Sequence, residues 1–134
     1  MPLRITLKPF ERMIINGAAI RNGDRNANFI VETQCRFLRE TDIVYESEAD
    51  TPCKKLYITL QVVHLSENPA EPETLFFAQA VEVMKIIPSS APFLAEIQRL
   101  LAEKQTYYAL KTCRQLITHE QEVLRSSRKK ASAA

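Results

Sequence analysis

The chain has 134 residues, 46% hydrophobic and 25% charged, with a formal net charge of +2. That length suits one domain, or two small layers sharing a core, and the balance is that of an ordinary globular protein. No apolar run nears the roughly 18 residues of a membrane span, and the start MPLRITLKPFER has no apolar h-region, so neither a membrane anchor nor a signal peptide is predicted and the expected location is the cytoplasm.

Leu3, Ile5 and Leu7 alternate with Arg4, Thr6 and Lys8, the period-two pattern of a half-buried strand, which Pro9 ends. Arg12–Ile15 runs into Asn16-Gly17 and returns as Ala18–Arg21; Asn22-Gly23 then turns into a strand over 25–32. Asn-Gly is the strongest short hairpin signal, because both central residues of a type I′ turn need φ > 0. Two such turns six residues apart predict short, tightly folded strands. Residues 36–39 make one more. The first 45 residues or so therefore read as a compact antiparallel sheet of four or five strands.

The period then changes. Thr51 before Pro52 is a hydroxyl N-cap followed by proline at the first helical position. Cys53, Leu56, Leu60 and Val63 form one helical stripe. A polar loop over 66–72 leads to a helix resuming at Glu73, with Phe76, Ala80, Val83 and Ile87 on one face. Ser90 caps a third helix carrying Phe93, Ile97, Leu100 and Leu101. The pattern weakens at 104–106, and Tyr108, Cys113, Leu116, Ile117, Val123 and Leu124 belong to a last helix. Strands followed by helices predict an α+β fold: residues 1–48 a β-rich hairpin sheet, 49–127 three or four helices in the same compact domain or packed closely on it, and 128–134 a flexible basic tail.

Nothing marks an enzyme. His64 and His119 are the only histidines, neither in a metal-ligand motif. With Gly17 and Gly23 as the only glycines, no glycine-rich phosphate loop is possible. Cys35, Cys53 and Cys113 are too widely spaced for a zinc site and read as reduced, mostly buried thiols. Carboxylates over 46–50 precede the first helix and favour its positive end. No catalytic residue, metal or cofactor is predicted.

Charge points instead to an anionic partner. Through Asp50 the chain has 7 basic and 8 acidic residues; beyond it 11 basic and 8 acidic. Arg125, Arg128, Lys129 and Lys130 crowd the end. In the sheet, Arg4 and Lys8 lie on the polar side of the first strand, Arg21 and Arg25 flank the second turn, and Arg36 and Arg39 flank Phe37-Leu38. A sheet displaying arginines beside loops suits single-stranded RNA, whose splayed bases stack on guanidinium planes. These six are the candidate RNA-binding residues. The competing reading is a solvated face paired locally with Glu11, Asp24, Glu32 and Glu40. A duplex-reading helix-turn-helix is less favoured, because the last helix, with Lys111 and Arg114, has no short turn from a preceding helix. Tyr107-Tyr108 is read as one core ring and one rim ring.

Three blocks, MPLRITLKPFERMIINGAAIRNGDR, FLRETDI with DTPCKKLYITLQ, and YYALKTCRQLITHE, span nearly the whole chain. They resemble the flagellar biosynthesis regulator family FlbT. The resemblance implies a repressor acting after transcription, which associates with the 5′ untranslated region of flagellin mRNA and promotes its degradation. It also implies positive action in some bacteria and work alongside the regulator FlaF. A fold-level similarity to the carbon-storage regulator CsrA rests on Arg39 and Glu40 within FLRE, with Arg4 as a loose counterpart on the first strand. The alternative is a protein-interaction module that binds FlaF, flagellin or a secretion chaperone through its helices and affects mRNA indirectly. A homo-oligomer joined at a strand edge is also expected.

Overall fold

A computed structural model describes residues 3–133, with side chains as far as Arg128; the side chains of Lys129 and Lys130 in the expected basic tail, and Ala134, lie outside the described residues. The fold is α+β, in two compact units. One runs to Ile43 and takes in Leu65–Glu67; the other comprises Val44–His64 and continues from Asn68.

The first unit contains β1 (Leu3–Leu7), β2 (Arg12–Ile15), β3 (Ala18–Arg21), β4 (Ala27–Val31) and β5 (Phe37–Arg39). They form two sheets, not the single sheet that strand periodicity predicts: β1 pairs β4, and β2 lies between β3 and β5, all antiparallel. Alternation along β1 points Ile5 and Leu7 inward, where they meet Met13 and the partly buried Ile15, Val31 and Phe37. Asn16-Gly17 makes the expected tight hairpin, with φ of 46° and 83°.

Asn22-Gly23 does not. Neither residue has positive φ among the described residues, and β4 leaves β3 to pair with β1. The reason is the Asn22 side chain. Its amide donates to the carbonyls of Leu7 at 3.2 Å, Lys8 at 2.8 Å and Arg25 at 2.7 Å, while its oxygen accepts the Gly23 N–H at 2.9 Å. Asparagine here bridges distant backbone in place of closing a hairpin.

The second unit holds α1 (Pro52–Leu65), α2 (Ala70–Ile86), α3 (Ala91–Ala102) and α4 (Thr106–Ala133). Thr51 caps α1 as expected: its Oγ1 accepts the Lys54 N–H at 3.2 Å. The predicted stripe Cys53, Leu56, Leu60 and Val63 is buried. α2 starts three residues before Glu73, and Phe76, Val83 and Ile87 face the core. Ser90 stands at the N-cap position of α3 but makes no capping bond. α4 continues as helix through Ala133.

Cys53 and Cys113 are buried and free, with the Cys113 thiol 3.9 Å from the Cys53 carbonyl. Burial, reinforced by nearby Glu120, raises the pKa of the Cys53 thiol far above its usual range, and burial does the same to Cys113. Both stay neutral and unreactive. Cys35 is half-buried.

Candidate nucleic-acid interface

The connections β1–β2 and β3–β4 are fastened together at one end of the first unit. Phe10 N–H donates to the Gly23 carbonyl at 2.9 Å, and Asn22 N–H to the Glu11 carbonyl at 2.9 Å. Glu11 closes the β1–β2 turn by accepting the Lys8 N–H at 2.9 Å. With the three Asn22 amide contacts, these bonds bring the backbones of Lys8, Phe10, Arg21 and Arg25 to one locus.

Phe10 is the unusual residue there. Its φ is 61°, in the left-handed region, which a bulky side chain adopts only under strain. The residue is 61% exposed. The backbone is therefore held in a costly conformation to present an aromatic ring to water. Such outliers cluster at functional sites.

Arg12 stands directly opposite Arg21 in the β2–β3 register, and both are exposed. Like charges in directly opposed positions repel; a phosphate between them would turn that repulsion into attraction. Lys8 and Arg25 are exposed at the same end.

The six candidate residues thus divide. Lys8, Arg21 and Arg25 come together. Arg4 lies on the outer face of β1, opposite the exposed Ile30. Arg36 sits at the other end of β2, where its N–H donates to Asn16 Oδ1 at 3.1 Å and its carbonyl accepts the Asn16 N–H at 2.8 Å. Arg39 is engaged internally: its guanidinium donates to the Thr6 carbonyl at 2.7 Å and lies 3.8 Å from Glu11 Oε1. It ties β5 of one sheet to β1 of the other. We therefore expect Arg39→Ala to cost about 1–2 kcal/mol, after allowance for a side chain 41% exposed. A urea denaturation curve for the variant matching that of the parent chain would contradict this bracing role.

Sequence reasoning did not single out Phe10 or Arg12 as contact residues. The signal for Arg12 was its place in the hairpin register, where residues 12 and 21 are equally far from the Asn16-Gly17 turn. For Phe10 the sequence carried none, because its left-handed backbone is imposed by Gly23 and Asn22 from another segment.

Tyr107 and Tyr108 are both exposed, at 38% and 54%. The expected core ring is absent because Ala109 and Leu110 occupy the buried face at the start of α4. Lys111 Nζ lies 5.0 Å and 5.7 Å from the two ring centroids. His64 Nδ1 is 2.7 Å from Thr106 Oγ1, and His119 Nε2 2.7 Å from Ser89 Oγ. Among the described residues no three His, Cys, Asp or Glu side chains gather as a metal site, and no helix is long and apolar enough to cross a membrane.

Residues 3–124 match the family described as Flagellar protein FlbT. A protein of Rhodopseudomonas palustris strain TIE-1, named a probable flagellum biosynthesis repressor protein FlbT, is 32% identical over 124 residues, covering 92% of this chain and 98% of the relative. Another with that name, from Caulobacter sp. strain K31, is 33% identical over 127 residues, covering 92% and 97%. The flagellum biosynthesis repressor protein FlbT of Caulobacter vibrioides strain ATCC 19089 is 32% identical over 127 residues, covering 92% and 90%. No solved structure is significantly similar to the chain. The chain belongs to the FlbT family, whose named members are repressors of flagellum biosynthesis.

Proposed function

We propose that this chain is a cytoplasmic post-transcriptional repressor of flagellum biogenesis that binds the 5′ untranslated region of flagellin mRNA and promotes its degradation. The observation that carries the RNA reading is the locus where strained, exposed Phe10 stands beside Lys8, Arg12, Arg21 and Arg25. An aromatic platform among cations is the pattern that holds single-stranded nucleic acid: stacking grips the base and guanidinium groups grip the phosphates. In this reading the degradation itself is carried out by a nuclease.

The test is titration of the purified chain with its own flagellin leader RNA and with a scrambled sequence, at several salt concentrations. With three or four phosphates engaged, log affinity should fall against log salt with a slope of about −2 to −3. A slope near zero, or equal affinity for the scrambled RNA, would count against leader recognition.

A second reading, a module binding FlaF or a flagellin-related protein, is favoured by one observation. A groove of about 510 Å³ between α1 and α2 is lined by Ile58, Val62, Pro72 and Leu75. Pull-down of leader RNA only in the presence of a protein partner would support it.

A further inference from the structure

α2 is apolar on more than its core face. Phe76, Val83 and Ile87 are buried, yet Phe77, Val81 and Met84 are 40%, 49% and 43% exposed. A helix apolar well beyond its core face is normally covered there too. Leu75 and Ile86 are exposed on another side of the helix, but Phe77, Val81 and Met84 belong to one seam. Ala70, Thr74, Phe77, Val81 and Met84 recur at alternating steps of four and three, all on the exposed side. That is the a/d spacing by which one helix packs along another.

The charges beside the seam select the occupant. Glu71 and Glu73 lie in the first turn of α2 and Lys85 in its last. We propose that this face binds the same face of a second copy of the chain, with the two α2 helices antiparallel about a two-fold axis. Phe77 of each copy then packs on Val81 of the other, and Thr74 on Met84. Lys85 of each reaches the level of Glu71 and Glu73 of the other, twice over by symmetry. A parallel pair would instead set glutamates against glutamates at one end and lysine against lysine at the other. Opposed helix dipoles favour the antiparallel order as well. Lys85 is available: it pairs with Glu82 at 3.2 Å, where both side chains are about two-thirds exposed, a pairing worth little in water.

The test is mass determination of the full chain by light scattering and sedimentation across a concentration series. The wild type should show twice the 15.3 kDa of one chain. Val81→Glu places a charge at the seam's centre without touching the core, and should raise the dimer dissociation constant at least about tenfold, with unchanged helical circular dichroism. Lys85→Glu should weaken the dimer, and Glu73→Lys with Lys85→Glu in the same chain should restore it. A wild-type chain monomeric at tens of micromolar, or a dimer indifferent to Val81→Glu and to the charge exchange, overturns the proposal. A monomer that instead captures FlaF through this face also overturns it.

Discussion

Phe10→Ala is expected to weaken binding to the flagellin leader by roughly five- to a hundredfold, since a stacked base is worth about 1–3 kcal/mol. Phe10→Tyr should keep most of the affinity, because stacking needs a π-face and not a particular ring. Phe10→Gly separates function from folding. Glycine enters the left-handed region without the clash a β-carbon brings, so removing the 61° φ strain should raise stability by about 1 kcal/mol while affinity falls as for alanine. Opposite signs in melting temperature and affinity are the mark of a residue held under strain for binding. Gel-shift titration and thermal denaturation of the same preparations decide the matter. Wild-type affinity in Phe10→Ala would remove the ring from the interface, leaving the arginines as a solvated face.

Legibility in the sequence followed the range of the forces involved. The first helix was readable from Thr51, Pro52 and its buried stripe because capping and 3.6-residue periodicity are local. Asn16-Gly17 was readable for the same reason. Asn22-Gly23, the same dipeptide, was not, because its outcome depends on carbonyls at Leu7 and Lys8 that come from another strand. Alternation marked β1, and a turn signal followed by an apolar run marked β4, but neither could name a partner strand, so two sheets read as one. At the candidate interface, composition brought out the cations, and the structure chose among them. Arg39 is set apart from Arg21 by having the Thr6 carbonyl and Glu11 within reach. Glu120 was missed although its spacing was informative. Cys113, Leu116 and Glu120 step along one face of α4 at intervals of three and four, and all three are buried.

Glu120 yields the largest expected effect on stability. The first turn of a helix leaves backbone donors without partners. In α1, Pro52 has no N–H, and Thr51 takes the Lys54 N–H. That leaves Cys53, whose N–H is buried and donates to Glu120 Oε2 at 3.1 Å from α4. Glu120 is 1% exposed, and its other oxygen has no hydrogen-bond partner among the described residues. Two effects compete. Burying the carboxylate is costly, but the positive end of α1 and the Cys53 N–H offset that cost. Glu120→Ala ends the burial penalty yet orphans a buried N–H and opens a cavity. The orphaned donor alone costs about 1–3 kcal/mol, and the lost packing adds to it. A net loss of about 2–4 kcal/mol is expected, lowering the melting temperature by roughly 6–15 °C. Glu120→Gln keeps an acceptor for Cys53 and should lose less than half as much. Thermal and urea unfolding of both variants would show this order. Glu120→Ala as stable as the parent chain would mean that the desolvation cost dominates and that Glu120 does not support the start of α1.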